Sequence, residues 1–83
     1  MALNDEAWQA LCTCIVDELD DVSASSIKPD TLLVEDLEFD SLLAINLSFE
    51  LEDQFDVVIE EAEMSGVRTV GDLAQLIASK LES

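Results

Sequence analysis

Apolar residues recur at helical spacing in three places along this chain. Trp8, Leu11, Ile15, Leu19 and Val22 form the first run and predict a helix over about residues 5–19. Asn4 can cap it, with Asp5 and Glu6 in the first turn, where negative charge is favoured. The last run is Val70, Leu73, Ala74, Ile77 and Leu81, which gives one clean apolar face. Thr69 can cap that helix, Asp72 sits near its open first-turn donors, and Lys80 falls in its last turn.

The middle run, over about residues 41–55, has a different pattern. At about 100° per residue, Ala44, Leu47, Leu51 and Phe55 share one stripe. Leu42, Ile45 and Phe49 form a second stripe on nearly the opposite side. Asn46, Glu50 and Asp53 lie on one flank between them, Ser48 and Glu52 on the other. A helix packed on one core needs a single apolar stripe. The second stripe begins beside Ser41 and implies a cleft or a partner. A small core wrapped around both sides of the helix is the competing explanation.

Between the first two helices runs a long connection, residues 20–40, broken by Asp20, Asp21, Ser23, Ser25, Ser26 and Pro29. A loop of that length is uncommon unless functional or pinned down. Ile27, Leu32, Leu37 and Phe39 are the apolar residues available to pin it, and Thr31 and Asp36 suit local turns. Val57, Val58 and Ile59 resemble a strand by composition. One strand has no partner here, so they are expected to connect elements and to bury their side chains. Glu60 to Ser65 predicts a short helix ending near Gly66. The expected fold is all-α: three main helices and a short one, with a long loop between the first two, in a single domain over residues 1–83.

Composition narrows the function. Twenty acidic residues against three basic ones give a formal net charge of −17. Nucleic acid is excluded as a partner, because phosphate binding needs Lys and Arg. A protein with a basic patch is the natural partner, drawn in by long-range attraction. At 49% hydrophobic residues the chain is not a disordered acidic tail. No apolar run approaches the roughly 20 residues of a membrane span. The start lacks a basic and apolar signal segment, so a cytoplasmic monomer is expected. Cys12 and Cys14 point to roughly opposite sides of a helix and do not suit pairing with each other. With no His, they make no metal site and are expected as helix filler or partly exposed thiols.

Catalysis by the chain alone is not expected. There is no His for acid–base work near neutrality, no Gly-rich phosphate loop and no Ser–His or Cys–His pair. No metal-ligand spacing is present, although acidic clusters suit loose binding of divalent cations. One junction does carry chemistry. Asp40 is a good N-cap, and Ser41 then falls at the first helical position, its hydroxyl outward at the positive end of the helix dipole. That is a favourable place to hold a phosphate.

Asp40-Ser41-Leu42, followed by an apolar-acidic helix and Glu52-Asp53-Gln54-Phe55, resembles the acyl carrier proteins. Thr31 to Leu37 precedes the motif at the family's spacing. Phe55 to Ile59 and Thr69 to Leu73 follow it, so the resemblance covers about residues 5–81. It implies a 4′-phosphopantetheine arm joined by a phosphodiester to Ser41, added by a separate transferase. The arm's thiol would carry an acyl group as a thioester. The chain would then be a carrier rather than an enzyme, serving fatty-acid, polyketide or specialised lipid synthesis. Its partners would be the phosphopantetheinyl transferase and acyl-processing enzymes with basic docking patches. Recognition by partners would fall on Asp40, Leu42, Ile45, Phe49, Glu52, Asp53, Glu61 and Glu63. Two other readings stay open: an acidic helical interaction module without a prosthetic group, and a peptidyl carrier.

The chain departs from the family pattern at several positions. The family commonly has Gly where Glu38 stands, and Gly adopts backbone angles that Glu resists. Fatty-acid members often carry acidic residues where Leu43 and Asn46 sit, and a Pro where Glu60 is. These departures suit a carrier dedicated to one pathway.

Overall fold

The computed structural model describes residues 3–19 and 22–82, so Asp20 and Asp21, expected to break the first helix, lie outside the described residues. Four helices follow in order: α1 (Asp5–Asp17), α2 (Ser41–Phe55), α3 (Glu61–Ser65) and α4 (Val70–Glu82). One 3-10 turn, Ala24–Ser26, lies in the long loop. The fold is the small helical bundle that the patterns predict. Its centre is built from Leu11 and Ile15 of α1, Leu47 and Leu51 of α2, and Val70, Leu73 and Ile77 of α4, all fully buried.

Helix α1 starts as expected, with the Asn4 side chain accepting from the Ala7 N–H at 2.7 Å. It ends two residues early. The N–H groups of Glu18 and Leu19 turn back to the Ile15 and Val16 carbonyls, at 3.2 and 2.9 Å, so the last turn tightens. Trp8 is half-buried at the core's edge. Cys12 and Cys14 are both buried rather than partly exposed. Helix α1 packs against α2 and against the 3-10 turn, so it is covered on more than one side.

The long loop is pinned by Ile27, Leu33, Leu37 and Phe39, all buried. Leu33, not Leu32, supplies the second anchor. Leu32 instead forms an antiparallel bridge with Thr69, flanked by Leu33 N–H to Arg68 carbonyl and Val70 N–H to Thr31 carbonyl, both 2.9 Å. Neighbours in extended backbone face opposite ways, so this pairing decides which leucine turns inward. Thr31 and Asp36 close the local turns as expected. The Thr31 hydroxyl accepts from the Lys28 N–H and the Asp36 carboxylate from the Leu32 N–H, each at 2.9 Å. The same alternation corrects the 57–59 segment: Ile59 is buried, Val57 half-buried, and Val58 72% exposed.

The last two helices lock together. Glu60 and Glu63 form a reciprocal cap on α3, and Lys80 of α4 reaches the Glu63 carboxylate at 2.9 Å. Those contacts, the Glu60 N–H first and Lys80 second, hold the Glu63 carboxyl below its ordinary pKa. At the head of α4 the Thr69 hydroxyl accepts from the Asp72 N–H, while Asp72 accepts from the Thr69 and Arg68 N–H groups. The Gly71 N–H donates to the Pro29 carbonyl at 2.8 Å, docking α4 on the long loop.

Candidate functional site

The start of α2 is held from behind. Phe39 is buried, and its N–H donates to the Leu33 carbonyl at 3.0 Å. Just before it, Glu38 sits in the left-handed region at φ 59°. Glycine is the residue suited to such angles, and the backbone here adopts the conformation that disfavours Glu. Asp40 is extended, and its carboxylate accepts from the Leu43 N–H at 2.8 Å. Its carbonyl accepts from Ala44 at 2.9 Å. Ser41 is therefore the first residue of α2, and it is exposed. Among the described residues, nothing accepts from the N–H groups of Ser41 and Leu42. An exposed hydroxyl beside open first-turn donors can carry a phosphodiester whose charge the helix dipole favours.

Two cavities meet at Ser41. One, of about 400 Å³, runs between α2 and α3 and is lined by Ala44, Ile45, Ser48, Phe49, Ile59, Glu61 and Met64. The other, of about 540 Å³, lies under the long loop against Leu33, Val34, Phe39, Asp40, Leu47 and Val67. Ser41, Ala44, Met64 and Ser65 border both. The second stripe of α2 is open to solvent: Leu42 is 66% exposed, Ile45 43% and Phe49 63%. Its first stripe is core, with Leu47 and Leu51 fully buried.

The structure gathers Asp40, Ser41, Ile45, Phe49 and Glu61 around these cavities, with Leu42 exposed beside them. It does not bring the other expected residues there. The Glu52 carboxylate accepts from the Ile59 N–H at 2.7 Å and ties α2 to the segment after it. That bond spans the left-handed turn at Asp56, φ 55°. Asp53 faces α1 with Glu50, across a groove lined by Ala10, Thr13, Cys14 and Asp17. Glu63 is engaged by Lys80 and the Glu60 N–H. Sequence reasoning missed Ser48, Ile59 and Met64 as cavity residues. For Ser48 a signal existed, because it lies two turns below Ser41 on the same side of the helix.

The seam between α1 and α2 is electrostatically unfavourable. One carboxylate oxygen of Glu50 is buried without a hydrogen-bond partner. Burial, and then the charges of Glu18 and Asp17, push the Glu50 carboxyl above its ordinary pKa. Burial and Glu50 in turn push the Cys14 thiol up to about 11, which keeps it protonated and unreactive.

Residues 9–77 match the family model described as "Phosphopantetheine attachment site". The chain is 35% identical to the meromycolate extension acyl carrier protein of Mycobacterium leprae, over 99% of this chain and 70% of that one. It is 35% identical to the acyl carrier protein of a Picosynechococcus species, over 94% of this chain and 95% of the other. The chain belongs to the acyl carrier proteins. Among solved structures, the acyl carrier protein of Enterococcus faecalis superposes with a TM-score of 0.77 at 26% identity, covering 92% of this chain and 95% of that one. An acyl carrier protein receives a covalent phosphopantetheine arm from a transferase, holds its acyl group on that arm and presents it to acyl-processing enzymes. It is a carrier, not an enzyme. Among the described residues no helix is long and apolar enough to cross a membrane.

Proposed function

We propose that Ser41 bears the 4′-phosphopantetheine arm and that the 83 residues act as one carrier domain, a cytoplasmic monomer serving a dedicated acyl pathway. The observation that carries the assignment is the exposed Ser41 hydroxyl at the first position of α2, where two cavities meet. In the loading step the Ser41 oxygen attacks the phosphorus of coenzyme A that bears the pantetheine. A new O–P bond forms, the pyrophosphate bond breaks, 3′,5′-ADP leaves, and the hydroxyl proton passes to the transferase. Asp40 is committed to the Leu43 N–H, so its role in the chain is to fix the helix start and aim Ser41 outward. The arm supplies a thiol that carries acyl groups as thioesters.

Partner recognition is assigned to Leu42, Ile45 and Phe49, with Glu61 at the edge of the same cavity. The surface is apolar at its centre, while the charge of −17 spreads over the whole molecule. This supports partners with an apolar socket inside a basic rim: the rim steers encounter and the socket holds the complex. Asp53 faces the groove against α1, so it contributes to the steering field rather than to contact at Ser41.

Incubation of the apo protein with coenzyme A, magnesium and a broad-specificity transferase should add one phosphopantetheine. Peptide mapping should place it on Ser41. Absence of an adduct with several transferases, or an adduct that persists in Ser41→Ala, would overturn the assignment. An acidic interaction module would gain no mass.

A further inference from the structure

Ser48 is the one buried polar residue among the described residues. It lies seven positions after Ser41, two helical turns along the same side, on the wall of the cavity between α2 and α3. Its hydroxyl donates to the Ile45 carbonyl at 2.7 Å, so its proton is spent inside the helix. Its oxygen keeps acceptor capacity. The rest of the wall is mostly apolar, formed by Ala44, Ile45, Phe49, Ile59 and Met64, with Ser41, Glu61 and Ser65 also on the lining. Alanine would fill this helix position with better propensity and without the back-bond that tends to bend a helix. A hydroxyl here favours neither the helix nor a purely apolar occupant.

From this we infer that the cavity takes hydroxylated acyl chains, with the Ser48 oxygen accepting a hydrogen bond from the cargo's hydroxyl. The inference rests on Ser41 as the attachment point and names the class of cargo that the arm delivers. A saturated chain entering the cavity would expel water and leave the Ser48 oxygen with no donor. A hydroxylated chain restores one. A keto chain offers only an acceptor and gains nothing, because the Ser48 proton is committed to Ile45. Sites built to pair with a substrate hydroxyl discriminate against analogues that lack it.

The test loads octanoyl-, 3-oxooctanoyl-, 3-hydroxyoctanoyl- and 7-hydroxyoctanoyl-phosphopantetheine from the corresponding coenzyme A thioesters. Each is placed on the wild-type protein, on Ser48→Ala and on Ser79→Ala, an exposed helical serine outside the cavity, as a control. Loading is read by intact mass, and thioester hydrolysis is followed at mildly alkaline pH. At least one hydroxylated cargo should hydrolyse about three- to tenfold more slowly than octanoyl in the wild type, the range that one net hydrogen bond supports. That ratio should fall to about one in Ser48→Ala, persist in Ser79→Ala, and be missing for 3-oxooctanoyl. Equal rates for all cargoes, or a ratio that survives in Ser48→Ala, would overturn the inference and leave the carrier reading intact. Failure of every cargo to load on Ser41 would overturn both. Apo Ser48→Ala should fold at least as stably as the wild type, so a null result cannot be blamed on unfolding.

Discussion

Helices α2 and α4 carry similar loads of apolar residues and dispose of them in opposite ways. Helix α4 turns Val70, Leu73, Ala74, Ile77 and Ala78 inward, and Leu81 near its end is its one exposed large apolar side chain. Helix α2 buries Leu47 and Leu51 but leaves Leu42, Ile45 and Phe49 in water. The heads of the two helices differ in the same sense. That of α4 is closed by the Thr69–Asp72 pair and docked on Pro29. That of α2 ends in an exposed serine and open N–H groups. Exposing apolar surface costs stability in a domain this small. Helix α4 is thus shaped by the core alone, whereas α2 also keeps open the apolar face proposed to meet partners.

The largest effects should come from the shared core. Burying a large apolar side chain is worth roughly 1.5–3 kcal/mol, and truncating one to Ala in a core costs about 2–5 kcal/mol. Leu51→Ala and Ile77→Ala should each lose that much in denaturant unfolding, because both residues are fully buried. Ile45→Ala should cost under about 1 kcal/mol, and instead slow transferase loading severalfold. Equal destabilisation by Ile45→Ala and Leu51→Ala, with loading unchanged, would make the second stripe ordinary core.

A matched pair of substitutions breaks the comparison at the helix heads. Gly71 and Leu42 are both second residues of their helices. A Cβ at Gly71 would lie 2.8 Å from the Pro29 carbonyl oxygen, so backbone must shift. Gly71→Ala should cost about 1–3 kcal/mol, the usual range for overpacking. Leu42→Ala should stay within about 0.5 kcal/mol, since its side chain is mostly in water. Thermal melts of the pair measure the difference. A benign Gly71→Ala would mean that α4 does not depend on its seat against the loop.

Much of this contrast was legible in the sequence. The one-sided pattern of α4 and the two-sided pattern of α2 follow from spacing alone, and so does Ser41 at a capped helix start. What escaped depends on pairings between residues distant in the chain. Leu32 and Leu33 are equivalent by composition, and only the bridge to Thr69 sends Leu33 inward. Val58 looks as buried as Ile59 until extended backbone places them on opposite sides. Glu52, Asp53 and Glu63 share a charge and a helical context, yet one ties down Ile59, one faces α1, and one holds Lys80. Ser48 looked like a flank residue because the wall it faces comes from Ile59 and Met64.

The seams of the two helices should respond oppositely to pH. Glu50 on α2 faces Asp17, Glu18 and the Cys14 thiol of α1, and its carboxyl pKa is raised by burial first and those charges second. A folded pKa above the unfolded value makes the ionised form a penalty, present at neutral pH and relieved as pH falls through the raised pKa. Glu63, opposite Lys80 of α4, has a lowered pKa. Its contribution is present above the unfolded carboxylate pKa and is lost as pH falls through the folded one. Glu50→Gln should therefore raise the melting temperature at pH 7, with the gain shrinking toward pH 4. Glu63→Gln should lower it at pH 7, with the loss shrinking on further acidification. Matching pH profiles for the two variants would refute the distinction between the seams.

The one stabilising backbone substitution concerns how α2 is launched. Glu38 holds φ 59° so that the chain can swing Phe39 into the core and Asp40 into its cap. A side chain in the left-handed region costs roughly 1–2 kcal/mol. Glycine removes that cost but adds unfolded-state freedom of roughly 0.5–1 kcal/mol, so Glu38→Gly should stabilise by up to about 1.5 kcal/mol net. The same substitution also removes one of 20 acidic residues, which by itself eases self-repulsion. Glu38→Gln separates the two causes, because it removes the charge and keeps the strained backbone. Chemical denaturation at two salt concentrations should rank Glu38→Gly above Glu38→Gln, and Glu38→Gln at or slightly above the wild type. The gap between the two variants should persist at high salt, where the charge contribution fades. If the variants are equally stable in both salts, the left-handed residue is not a strain on this helix start. The heads of α2 and α4 would then differ in what they expose rather than in what they cost.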